Sequence, residues 1–190
     1  GTAFFRAQQH DRAVAALQEG LSIDNAQKDL HFQLGVVYEK LSRFDDAIRS
    51  FRQVIQLDPK HAEAYNYVGY MYAEKGLNLD EAVQLISRAL DLDPENGYFI
   101  DSLGWAYYQQ GKYAEALREL KRAAERAKED PVILEHLGDA YLKNGSVEEA
   151  VRAWEKSLQM DPASESVKKK LREIRETLSG QKGGRTEAQQ

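Results

Sequence analysis

Apolar residues recur along this chain at spacings of three and four, the period of a helix with one dry face. Ile100, Leu103 and Tyr107 form one such stripe, and Val167, Leu171, Ile174 and Leu178 form another with charges between them. The stripes themselves recur. Leu34-Gly35, Val68-Gly69, Leu103-Gly104 and Leu137-Gly138 are followed by Tyr38, Tyr72, Tyr107 and Tyr141, and the glycines lie 34, 35 and 34 residues apart. Behind each tyrosine comes an alanine, Ala47, Ala82, Ala116 or Ala150, and one helical turn later a bulky residue, Phe51, Ile86, Leu120 or Trp154. Each period therefore predicts two helices, A and B. The glycine carries no side chain, so helix B can approach helix A at that point, while the alanine keeps the opposing face small. The tyrosine and the bulky residue fill what remains.

On this register the complete repeats span 28–61, 62–96, 97–130 and 131–164. Pro59, Pro94 and Pro162 end their B helices, because a proline ring cannot continue the hydrogen-bond ladder. The third repeat has Lys128 in that place, and Asp130-Pro131 reads instead as an N-cap and first-turn pair opening the next helix A. Ser146-Val147-Glu148-Glu149 reads as a capping box. The second repeat carries one extra residue, in the turn Gly76-Leu77-Asn78-Leu79-Asp80. Counting back one period from Ala47 lands on Ala13, with Leu17 a turn later, so residues 1–27 read as a partial repeat. Its helix B is expected from Asp11 to Ile23, and its helix A retains only the stretch around Phe4 and Phe5. That start reads as the cut edge of a longer array, with Ala13, Val14, Ala16, Leu17 and Leu21 left uncovered; a natural start after Gly1 is the alternative. Residues 165–178 are expected to form a capping helix and 179–190, which are poor in apolar residues, a disordered tail.

A period near 34 with L-G-x2-Y, then A-x3-F, then proline, resembles the tetratricopeptide repeat. The resemblance covers residues 1–178. It implies an all-α fold, a right-handed superhelical solenoid of antiparallel helix pairs, and a role as a scaffold that holds other proteins. The segments Asp101-Ser102-Leu103-Gly104-Trp105 and His136-Leu137-Gly138, with Ala150 and Trp154, further resemble large bacterial tetratricopeptide proteins, some of them envelope lipoproteins that dock proteases or assembly machines. That implies a bacterial periplasmic or outer-membrane-attached location in preference to the cytoplasm.

Composition narrows the partners. The net charge is −5, and phosphate binding needs a concentrated basic surface, so nucleic acid is not expected. The chain has no cysteine, which excludes disulfides and thiolate metal sites. No apolar run approaches the ~20 residues of a membrane span, so direct membrane insertion is not expected. His10, His31, His61 and His136 lack metal-ligand spacing, and no glycine-rich phosphate loop is present, so the expectation is no metal, no cofactor and no catalytic residue. The run Asp91 to Gly97 has its glycine one place late for a calcium loop and reads as an inter-repeat turn. His136 and Asp139 lie three apart on one helix without a nucleophile spaced to join them, and read as a polar pair. Asn144-Gly145-Ser146, which matches a glycosylation acceptor, reads as a hairpin turn. Lys168-Lys169-Lys170 is interleaved with Glu165, Glu173 and Glu176 and reads as a solvated helix face.

One set of residues is left over from the repeat core. In the third repeat Tyr98, Asp101, Trp105 and Tyr108 form a second stripe at spacings of three and four. In tetratricopeptide proteins the corresponding stripe lines the concave groove where partners lie, and the resemblance extends it to Phe32, Val36, Asn66, Tyr70, Glu135 and Asp139. The groove so inferred is aromatic with acidic edges. Either these rings receive a protein or peptide segment, or they pack each helix A against the next, with Trp105 placed to do both. The carboxylate clamp of chaperone-tail receptors would need lysine and asparagine where Phe32, Asn66, Asp101 and Glu135 stand. An asparagine ladder would need asparagine at Gln33, Tyr67, Ser102 and His136. The expected partner is a protein segment; the alternative is a structural, self-assembling array with a second copy meeting the N-terminal edge.

Overall fold

The computed structural model describes residues 2–187, with side chains from residue 9 to residue 179. Among the described residues ten helices follow in order: α1 (Thr2–Ile23), α2 (Lys28–Lys40), α3 (Phe44–Leu57), α4 (Ala62–Lys75), α5 (Leu79–Leu92), α6 (Gly97–Gln109), α7 (Tyr113–Arg126), α8 (Pro131–Lys143), α9 (Val147–Met160) and α10 (Glu165–Glu187). They fall into two compact units, Gly1–Pro94 and Glu95–Gln190. In the first, α2 pairs with α3 and α4 with α5, while α1 packs on α2 and α3 on α4. In the second, α6 pairs with α7 and α8 with α9, α7 packs on α8, and α10 on α9. The fold is all-α and made of consecutive helix pairs.

The glycine and the bulky residue of each repeat meet directly. A Cβ at Gly35 would lie 2.7 Å from the Phe51 ring, at Gly69 2.6 Å from Ile86, and at Gly104 2.6 Å from Leu120, all closer than contact allows. At Gly138 the same atom would enter the indole of Trp154. The bulky side chain thus sits in the notch the glycine leaves, and Phe51, Ile86, Leu120 and Trp154 are fully buried. Ala47, Ala82, Ala116 and Ala150 are buried beside them.

The turn between helices A and B recurs as a backbone conformation. Ser42, Gly76, Gly111 and Gly145 hold φ of 56°, 63°, 77° and 80°, the left-handed region where a Cβ is disfavoured. Asn78, in the turn with the extra residue, also has positive φ (46°), as does Glu129 next to the missing proline of the third repeat. Asp130 caps α8 as expected, accepting from the backbone amides of Val132 at 2.9 Å and Ile133 at 3.1 Å. Ser146 occupies the N-cap of α9, but its hydroxyl makes no capping bond, so the expected capping box does not form.

Both ends of the chain differ from the sequence pattern. A broken helix was expected before Asp11, yet α1 is a single helix from Thr2, because nothing in residues 2–10 breaks the hydrogen-bond ladder. The side chains of Phe4 and Phe5 lie outside the described residues. At the other end α10 continues past Leu178 to Glu187, where a disordered tail was expected; Ala188 to Gln190 lie outside the described residues. Loss of apolar pattern and the Gly183-Gly184 pair ended the prediction at 178, whereas α10, nucleated over its buried first turns, adds one backbone hydrogen bond per further residue.

Candidate protein-interaction face

In the first unit the groove candidates border open space. Phe32 lies in an aromatic cluster, edge-on to Phe51 at 5.5 Å and to Tyr67 at 5.6 Å, and stacked on His61 at 4.9 Å. Phe32 and Val36 also face a cavity of about 470 Å³ between α1 and α2, whose walls include Ala13, Ala16 and Leu17. Tyr70 lines a second cavity of about 480 Å³ between α2 and α4, together with Glu39, Phe44, Tyr67, Met71 and Glu74. Its hydroxyl donates to Glu74 at 3.1 Å. Asn66 is half-buried, and its side-chain oxygen has no hydrogen-bond donor among the described residues.

In the second unit most candidates engage one another. Asp101 is buried, with its carboxylate oxygens 3.0 and 3.1 Å from Nδ1 of His136. The His136 ring stacks on Trp105 at 4.2 Å, and Trp105 stacks on Tyr108 at 4.8 Å. Trp105 therefore packs helix A against the next helix A, one of its two expected roles. Asp139 is also buried; its carboxylate accepts from Trp154 Nε1 at 3.1 Å and from Lys170 Nζ at 2.6 Å. Glu135 accepts from the same Lys170 at 2.7 Å and from the Ser166 hydroxyl at 2.6 Å. Tyr98 stands apart, 60% exposed. Val132, one period later at the start of α8, is 49% exposed.

The electrostatics follow from these contacts. Burial pushes the Asp139 carboxyl up, and the Lys170 ammonium only partly offsets it. Burial pushes Glu135 up as well, but the hydrogen bonds from Lys170 and Ser166 outweigh it and leave that carboxyl lowered. The Tyr108 hydroxyl is raised to about 12, by burial first and then by the charge of Asp139. The acidic edge expected at Glu135 and Asp139 is thus met from within, by a lysine assigned from sequence to a solvated face.

A rule that sequence reasoning missed connects these contacts. Tyr67 meets Phe32, His136 meets Asp101, and Lys170 meets Glu135. The two polar pairs are each separated by 35 residues, and 67 − 32 gives the same interval. In these three pairs a residue of one helix A is met by the residue one period plus one position later, on the next helix A. The signal was present in the repeat: stepping one period from His136 lands on Lys170, which makes α10 a further helix A by register, with Val167 and Leu171 buried against Ala150 and Trp154.

Comparison with known proteins agrees with this architecture. The tetratricopeptide repeat family matches the chain over residues 32–97 and 102–165. No curated protein matches it by sequence. Solved structures with the same fold include residues 41 to the end of MamA from Desulfovibrio magneticus RS-1, at 18% identity and a TM-score of 0.71, covering 87% of this chain and 93% of that one. PilW, described as a widely conserved type IV pilus biogenesis factor, is 21% identical with a TM-score of 0.74, over 85% of this chain and 74% of its own. TTC0263 of Thermus thermophilus, a thermophilic protein of the same repeat class, is 18% identical with a TM-score of 0.72, over 91% and 94%. At these identities the likeness is one of fold. Among the described residues no helix is long and apolar enough to cross a membrane.

Proposed function

Because the chain belongs to the tetratricopeptide repeat family, a family of protein-interaction scaffolds, we propose that it holds a protein segment along the A-helix face of residues 28–75. The observation that carries this reading is the pair of open cavities bordered by Phe32, Val36 and Tyr70. Apolar and aromatic walls that face open space are what a bound side chain can bury, and a few such anchors suffice for ordinary affinity. Asp101, Trp105, Tyr108, Glu135 and Asp139 act on this reading as the framework that holds helices A together, with Tyr98 as an outlying contact. The reading is of a noncatalytic adaptor, placed in the bacterial envelope by the sequence resemblance alone.

A photo-crosslinking residue at Val36, compared with one at the exposed Arg88, tests the reading. The expected result is a discrete adduct with another protein from Val36 alone. Equal labelling from both positions, or none from Val36, refutes it. The second reading, a self-assembling array, is favoured by the apolar character of the α1–α2 cavity, whose walls are largely alanine, leucine, valine and phenylalanine. Adducts from Val36 between copies of the chain would select that reading.

A further inference from the structure

The cavity between α2 and α4 combines aromatic walls with an acidic rim. Its walls carry three aromatic rings, Phe44, Tyr67 and Tyr70, with Met71 beside them. Its rim carries two carboxylates, Glu39 and Glu74. Glu39 makes no ion pair or side-chain hydrogen bond among the described residues, and Glu74 receives only the Tyr70 hydroxyl. The cation on the rim, Lys75, forms no ion pair with either. Deepening the scaffold reading, on which it rests, we infer that this cavity receives an arginine side chain of the bound protein segment.

The chemistry favours arginine over other occupants. A guanidinium is planar and weakly hydrated, so it can lie against tyrosine and phenylalanine rings while its edge donates to a carboxylate. An ammonium keeps its water more firmly and gains less from a flat ring. A neutral apolar side chain would use the rings and gain nothing from the two carboxylates, which are exposed on the rim. The field inside the cavity has the right sign: the Tyr67 hydroxyl is raised by burial and, after that, by the negative charges of Glu39 and Glu63.

The chain provides its own reporter. It has two methionines, Met71 on the cavity wall and Met160 in α9, which does not line it. Protein labelled with ¹³C at the methionine methyls is titrated with Nα-acetyl-argininamide, with its neutral isostere Nα-acetyl-citrullinamide, and with Nα-acetyl-lysinamide. The arginine compound should shift the Met71 methyl saturably in the millimolar range expected of a single side chain, with Met160 unmoved. Citrulline should bind at least tenfold more weakly, and lysine more weakly than arginine. The double variant Glu39→Gln with Glu74→Gln should lose the Met71 response, while helical circular dichroism and thermal melting equal to the parent's show that the fold is intact. No shift at Met71, equal responses to arginine and citrulline, a lysine response as strong as arginine's, or a variant that binds as before would overturn the inference. Because the probe is a small molecule, failure here with a specific Val36 adduct would remove the arginine site and leave the scaffold standing.

Discussion

A glycine that admits one bulky side chain is the smallest unit on which this fold depends. Gly104→Leu drives a branched side chain into the space of Leu120, and that backbone amide would lie only 3.2 Å from a Cβ there, so the helix pair must separate. The expected cost is about 3 kcal/mol by urea denaturation; stability equal to the parent would show that α6 and α7 do not meet at this notch. Lys170 is the second residue of this kind. Asp139, raised by burial, contributes stability present below its unfolded value and lost as pH rises through its raised folded value. Glu135, lowered in spite of burial, contributes stability present above its unfolded value and lost as pH falls through its lowered folded value. Lys170→Met withdraws the cation from both. We expect a loss of about 3 kcal/mol at neutral pH, because the buried Asp139 carboxylate loses its cation and keeps only the Trp154 indole as a donor. The deficit should shrink on acidification, as Asp139 takes up its proton; a deficit independent of pH would mean that Lys170 acts through packing alone.

At the scale of elements, the turns and caps distinguish sequence signals that act from those that only look right. Ser42 holds the left-handed conformation that glycine holds in the three later A-to-B turns. Ser42→Gly should therefore stabilise the first unit, by about 0.5–1 kcal/mol once the greater freedom of glycine in the unfolded chain is counted. A loss of stability would mean that the serine hydroxyl has a role the turn geometry does not explain. The two caps make a matched comparison. Asp130→Ala should cost about 1 kcal/mol, since two amides lose their acceptor, whereas Ser146→Ala should cost almost nothing. Equal losses in thermal melts would contradict the geometry. The capping box at Ser146 misled because its sequence signature is satisfied by residue types, while the hydrogen bond depends on N-cap geometry, and Ser146 sits at φ −87° and ψ 69° with no side-chain bond to α9.

For the whole molecule, the pattern of Gly, Tyr, Ala and bulky residue made the fold legible, because each of those residues is a packing necessity repeated at a fixed interval. The proposed binding face was less legible. Spacing marked Asp101, Trp105, Glu135 and Asp139 as a second stripe, but only the packed structure shows that His136 and Lys170 already occupy them. Phe32 and Tyr70 stand on the same register with cavities beside them, a difference that lies in their neighbours and not in their own identity. The competing self-assembly reading is a property of the entire chain. If it holds, light scattering should show mass rising with concentration, and Ala16→Glu with Leu17→Glu, on the wall of the α1–α2 cavity, should abolish the rise. Constant mass in the parent chain favours the adaptor. The interval of 35 residues that joins Phe32 to Tyr67, Asp101 to His136 and Glu135 to Lys170 also has an evolutionary consequence. A repeat copied or exchanged as a block would arrive with half of each pair and meet a stranger on the next helix. Homologous chains should therefore covary across repeat borders, residue 101 with 136 and 135 with 170, more strongly than within any single repeat.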